Sequence, residues 1–173
     1  MNKRFRLTTT RLILRNFKKS DNLIDYFEVL TNKKSYLALD HSSTQKKDIF
    51  LKTQNYKGVL VAIFLKNNKE NIGTIGLSEI NKKYSSCNIG ILTYNKFQKK
   101  GYAFESMSKI VRYCHSKLNI NEIYLWVQFK NLDAIKLYKK LGFLVSKPKR
   151  NYLHVKPKPY VKEVFMVKIK NLR

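Results

Sequence analysis

The chain has 173 residues, 43% of them hydrophobic, and carries 36 Lys and Arg against 11 Asp and Glu, a formal net charge of +25. That length fits one domain with a real core, and that apolar content excludes a chain too polar to fold. No apolar run reaches the length of a membrane span, and Met1-Asn-Lys-Arg-Phe-Arg lacks the apolar core of a signal peptide. Cys87 and Cys114 are too few and too far apart to suggest a disulfide framework or a zinc site. The expectation is a soluble, reduced, cytoplasmic protein with no resident metal. A field this positive attracts polyanions and repels cations, so a polycationic partner would need a local acidic patch.

Arg11 to Phe17 alternates enough to predict a first strand. Ser20 is a candidate N-cap with Asp21 in the first turn, and Leu23, Ile24, Phe27 and Leu30 then recur at helical spacing. Asn32 to Ser43 is polar and turn-like, with His41 read as a surface histidine; Thr44 can cap a second helix. Gly58 to Leu65 predicts a strand, Asn67 to Asn71 a hairpin turn, and Ile72 to Ile80 the next strand, with Gly73 and Gly76 as sites of bulging or close approach. Asn81 to Ser86 is a further turn, and Cys87 to Tyr94 a strand. An antiparallel meander is expected.

Tyr94 to Glu105 is the stretch around which the rest is organised. A polar, basic loop with one glycine joins an apolar strand to a helical pattern that runs from Ala103 to Leu118. Such a junction aims backbone N–H groups and the positive end of a helix dipole at one point, where a phosphate group can bind. Gly101 removes a Cβ where a ligand must approach the backbone, and Lys99 and Lys100 add charge. By itself, one glycine in a basic loop is more often just a turn. The helix carries the stripe Ala103, Met107, Ile110, Val111, Cys114 and Leu118, and Asn119 ends it. Ile123 to Val127 reads as a buried strand parallel to the one before the loop, which makes a right-handed strand–helix–strand crossover. Asn131 caps the last helix, Gly142 stops it, and Phe143 to Val145 and Val161 to Ile169 are two final antiparallel strands. The linker Lys147 to Pro159 is basic and proline-rich.

Three of these segments carry a family resemblance. Gln98-Lys-Lys-Gly101-Tyr-Ala103 resembles the acyl-coenzyme A loop of the GNAT N-acetyltransferases. Asn131-Leu-Asp-Ala-Ile-Lys-Leu-Tyr138-Lys-Lys-Leu-Gly142-Phe143 is similar to that family's second signature. Thr8-Thr-Thr-Arg11-Leu-Ile-Leu-Arg15 resembles the opening of its ribosomal-protein N-acetyltransferase branch. The three occur in family order across almost the whole chain. The resemblance implies a single α/β (α+β) domain over residues 1–173, with a mixed, mostly antiparallel sheet flanked by helices around a βαβ acyl-CoA unit. It also implies acetyl-CoA as cofactor and transfer of its acetyl group to a primary amine.

In that reaction the amine must be neutral to attack, the developing oxyanion needs a donor, and the departing thiolate needs a proton. The resemblance implies that Ile91, Leu92 and Thr93 offer backbone hydrogen bonds to pantetheine and the acetyl carbonyl. Gln98, Lys99, Lys100, Gly101, Tyr102, Ala103 and Phe104 would hold the pyrophosphate, and Asn131 is a helix cap or a cap that also meets the cofactor. Spacing alone puts Tyr138 on the core stripe Leu132, Ile135, Tyr138, Leu141; the resemblance makes it the general acid. Many relatives carry Glu where this chain has Asn88, which cannot take a proton. Glu79 on the preceding strand is the substitute base nearest in sequence, against the plain reading of an exposed strand-end carboxylate; water as the base, or no base at all, is the alternative.

The acceptor expected from the charge and the N-terminal signature is a protein α-amine on an acidic or ribosome-associated protein. The alternatives are a small amine, an amino sugar, aminoacyl-tRNA, or a non-catalytic RNA- or ribosome-binding module on this scaffold. A monomer and a homodimer are both compatible with the sequence.

Overall fold

A computed structural model of the chain describes residues 5–22, 24–26, 58–149 and 162–170. His41, the helix expected after Thr44, most of the helix expected over 23–30 and most of the basic linker lie outside them. Among the described residues the strands are β1 (Arg6–Thr8), β2 (Leu12–Arg15), β3 (Gly58–Leu65), β4 (Asn71–Asn81), β5 (Ser86–Thr93), β6 (Glu122–Gln128), β7 (Leu144–Val145) and β8 (Glu163–Ile169). The helices described from end to end are α1 (Tyr102–Lys117) and α2 (Leu132–Lys140), with a short 3-10 turn at Asn95–Phe97, and residues 24–26 are also helical. The strands hydrogen-bond into one mixed sheet in the order β1-β2-β3-β4-β5-β6-β8-β7. No helix of the described residues is long and apolar enough to cross a membrane.

The chain divides into two compact units. The first comprises Met1–Gly76 and Ile91–Ser106. Its β2 pairs antiparallel with β1 and with β3, in register Leu14 to Leu7 and Leu14 to Ile63. β3 reads Gly-Val-Leu-Val-Ala-Ile-Phe-Leu and buries both faces over Val61–Leu65, as a central strand without polar alternation should. The first strand is shorter than the sequence suggested, because Asn16 and Asp21 turn inward to backbone. Asn16 Oδ1 accepts the Phe5 N–H at 3.2 Å, and Asp21 accepts both the Lys18 N–H and the Arg15 guanidinium at 2.7 Å. Ser20 is not the cap, because Asp21 and Asn22 after it are not helical; Asn22 Oδ1 takes the N–H of the helical Ile24.

The end of β5 is fixed by a buried polar network. Tyr94 donates its hydroxyl to Asn71 Oδ1, and Asn71 Nδ2 donates to the carbonyls of Ile63 and Gly73 at 2.9 and 3.1 Å. Every group in it has a partner, so burial costs little and the chain leaves the sheet at one defined point. Gly73 is the close approach that the sequence anticipated. Its φ is +155, and a Cβ there would lie 2.1 Å from the carbonyl oxygen of Leu92.

The second unit comprises Leu77–Gly90 and Met107–Arg173. β5 and β6 pair in parallel over Ser86–Asn88 and Glu122–Tyr124, as the strand–helix–strand order led one to expect. β6 and β8 pair antiparallel along their whole length, and β7 adds two residues at the edge. Met107, Ile110 and Cys114 of α1 are fully buried, together with Ile123 and Met166. Asn119, at φ +53, ends the helix, and the N–H of Ile120 returns to the carbonyl of Cys114. Asn131 caps α2 by accepting the N–H of Ala134 at 3.1 Å, and Gly142 stops it at φ +83.

Candidate functional site

The first unit carries the loop. After Tyr94 the 3-10 turn buries Phe97 and returns the chain to an extended Gln98. The Gln98 amide folds back, donating to the Thr93 carbonyl and to Asn95 Oδ1, both at 3.1 Å. Lys99 (φ +58) and Gly101 (φ +81) are both left-handed, with Lys100 between them, and α1 starts at Tyr102. Alternating backbone handedness of this kind turns successive N–H groups toward one concavity, and the first-turn N–H groups of a helix have no partner within the helix. The chemistry of these groups suits a pyrophosphate: the donors are backbone, the Lys99 and Lys100 side chains are cationic, and Gly101 carries no side chain. Ile91, Leu92 and Thr93 are half-buried at the end of β5.

Arg11 of the N-terminal signature touches this same loop. Its Nε donates to Glu105 Oε2 at 2.7 Å, its N–H to Glu105 Oε1 at 2.8 Å, and its Nη1 to the Lys100 carbonyl at 3.1 Å. Burial pushes the Glu105 carboxyl up, but hydrogen bonds from Thr9 and Arg11 outweigh it and hold it below the usual carboxylate range. The sequence did not reveal this contact, because the partners are 94 residues apart.

The second unit holds the candidate acid and base. Tyr138 is buried at 6% exposure on α2 and packs against Phe143, ring centroids 5.9 Å apart. Two described side-chain polar atoms are buried without a partner, His115 Nε2 and Trp126 Nε1; the Tyr138 hydroxyl is not one of them. Burial pushes its phenol up to about 12, so it stays protonated through the neutral range and can only give a proton there.

Glu79 is not the exposed carboxylate of the plain reading. It sits half-buried in β4 at φ +49, and its Oε2 accepts the Tyr124 hydroxyl at 2.7 Å. Burial first, and then the Glu79 carboxylate, push the Tyr124 phenol up. Asn88 is the register partner of Tyr124, and its Oδ1 accepts the Ser78 hydroxyl at 3.4 Å. A carboxylate from β4 is therefore brought to the tyrosine that faces the Asn88 position. Sequence reasoning missed Tyr124, which sits inside an apolar strand; its polar tip was the available signal.

A family model for the acetyltransferase (GNAT) domain matches residues 11–144. The chain is 28% identical over 169 residues to the uncharacterized N-acetyltransferase YoaA of Bacillus subtilis, covering 93% of this chain and 95% of that one. Its fold resembles a Vibrio cholerae structure provisionally described as a ribosomal-protein-serine acetyltransferase, with TM-score 0.76, 16% identity, and 98% and 100% of the two chains covered. It also resembles Vibrio cholerae spermidine N-acetyltransferase in complex with CoA and spermine, with TM-score 0.70, 21% identity, and 92% and 96% covered.

Proposed function

The chain belongs to the GNAT acetyltransferase family, and on that footing we propose that it acetylates a protein N-terminal α-amine, on an acidic or ribosome-associated partner. N-Acetyl transfer from acetyl-CoA is the family's chemistry; the acceptor is the proposed part. Acetyl-CoA supplies the acetyl group as a thioester. The loop from Gln98 to Phe104 holds its pyrophosphate through backbone N–H groups and the Lys99 and Lys100 charges, and Ile91 to Thr93 offer strand-end backbone bonds to pantetheine. Asn131 serves α2 as its cap.

Tyr138 gives its hydroxyl proton to the departing sulfur. Glu79, oriented by Tyr124, takes the proton that the amine must lose. The observation that supports this assignment is the place of Tyr138, buried on the second-signature helix α2 with its ring against Phe143.

The net charge of +25 favours an anionic partner over a polycation. A spermidine-type acceptor is the second reading, favoured by the fold likeness to the spermidine enzyme. RNA is a further polyanion that the charge would draw. A thiol-release assay with acetyl-CoA separates these. Peptides with an acidic N-terminal segment should be turned over faster than spermidine, free amino acids or aminoglycosides, and more slowly as salt rises. Turnover of spermidine alone would replace the acceptor assignment, and RNA binding at about 0.1 M salt without any turnover would replace the enzymatic one.

A further inference from the structure

Arg11 lies between β1 and β2, yet its side chain serves α1 and the loop before it. One guanidinium meets four successive features there. Nη1 donates to the Lys100 carbonyl, Nη2 lies 3.3 Å from where a Cβ on Gly101 would stand, the guanidinium carbon sits 4.5 Å from the Tyr102 ring centroid, and Nε bonds the Glu105 carboxylate. Thr9 completes the attachment, donating its hydroxyl to Glu105 Oε1 and accepting the Leu12 N–H at 2.9 Å.

Two physical points give this arrangement a purpose. Lys99 is a non-glycine residue at φ +58, a conformation that persists only where surrounding contacts over-determine it. The second point is the direction of Glu105. An acidic residue in a first helical turn commonly turns back to the free N–H groups at the helix end, or at least competes with an anion for the dipole. Here both carboxylate oxygens are engaged by Thr9 and Arg11 instead. The helix end keeps its donors, and the Arg11 charge offsets the carboxylate.

We propose that Arg11, anchored on Glu105, is a positioning residue for the cofactor's pyrophosphate. It fixes the Lys99–Tyr102 backbone in its anion-binding form before the ligand arrives, and its Nη2 N–H adds positive charge beside Gly101. This role rests on the loop being the acetyl-CoA seat. The Thr8–Arg15 signature then has a function in the cofactor half of the reaction, whatever the acceptor.

The test compares two acetyl donors in Arg11→Gln, Arg11→Lys and Thr9→Val. Acetyl-CoA carries the pyrophosphate; S-acetyl-N-acetylcysteamine is a thioester without it. In Arg11→Gln the KM for acetyl-CoA should rise at least about tenfold while kcat/KM for the short thioester stays within about twofold. Arg11→Lys should fall between, because an ammonium restores charge but not the two-pronged grip. Thr9→Val should shift KM in the same direction by less, and it covers the case in which Arg11→Gln folds poorly. Equal losses with both donors, or an unchanged acetyl-CoA KM, would overturn the assignment and leave Arg11 a stability residue. Calorimetry of coenzyme A with the wild-type protein keeps the two layers apart. Wild-type binding with unchanged affinity in Arg11→Gln removes only the brace, whereas no wild-type binding removes the loop as the seat and the brace with it.

Discussion

The Tyr124 hydroxyl donates a 2.7 Å hydrogen bond to Glu79 Oε2, and Glu79 reaches it from a left-handed backbone position, φ +49. A non-glycine residue seldom adopts that conformation in a strand, and it costs about 1–3 kcal/mol when it does. The bend sets the carboxylate against the strand that carries Tyr124, which is register partner to Asn88. Glu79→Gln keeps the size and a hydrogen-bond acceptor but removes the base. It should lower kcat/KM by about a hundredfold near pH 7 with little change in melting temperature. The deficit should narrow as pH rises past about 8, the ordinary range of an α-amine, where the acceptor is already neutral. A pH–rate profile with equal deficits at pH 7 and pH 9 would remove Glu79 as base.

Gly101→Asp places a side chain and a negative charge where the loop would meet the pyrophosphate, at a backbone φ of +81 that favours glycine. Coenzyme A affinity should fall at least about tenfold, roughly 1.4 kcal/mol. Calorimetry on the folded variant checks this, and unchanged affinity would take the loop out of the site.

Gly73→Ala is expected to destabilise the fold rather than the chemistry. Its Cβ would stand 2.1 Å from the Leu92 carbonyl oxygen, a distance that no rotamer relieves. A loss of about 1–3 kcal/mol or more in denaturant unfolding is predicted, with a rise in acetyl-CoA KM if Leu92 is pushed from its place. Unfolding identical to wild type would mean that the β4–β5 backbone yields freely here.

Cofactor binding is expected to depend on pH through Glu105. Its folded-state carboxyl lies below its ordinary range, so its ion pair stabilises the structure fully above that range and is lost as pH falls through the lowered value. Coenzyme A affinity and melting temperature should therefore drop together on acidification. In Glu105→Gln both should start lower near neutrality and vary less with acid. Parallel acid profiles for the two proteins would show that the titration resides elsewhere.

The parts of this molecule that depend on neighbours in sequence were legible in the sequence. Asn131 and Gly142 bound α2 through local side-chain and backbone preferences, and the glycine in a basic loop between an apolar strand and a helical stripe marked the turn from β5 into α1. The parallel β5–β6 pairing followed from the strand–helix–strand order. What escaped was long-range and polar. Arg11 and Glu105 each look like ordinary surface charges until the fold joins them, and Tyr124 hides in an apolar run until β4 supplies Glu79. β1 was missed because three residues, Arg6–Thr8, are too few to show a period. Ser20 lost the capping role because Asp21 and Asn22 offer acceptors that the local backbone uses instead.

In the proposed reaction the buried Tyr138 phenol gives its proton to the departing thiolate. Tyr138→Phe tests it most directly, since it deletes only the hydroxyl and keeps the ring against Phe143. Measured with acetyl-CoA and an acidic N-terminal peptide, kcat should fall by about a hundredfold or more while calorimetric coenzyme A affinity stays unchanged. A normal kcat together with a lowered melting temperature would contradict the account and make Tyr138 a core residue.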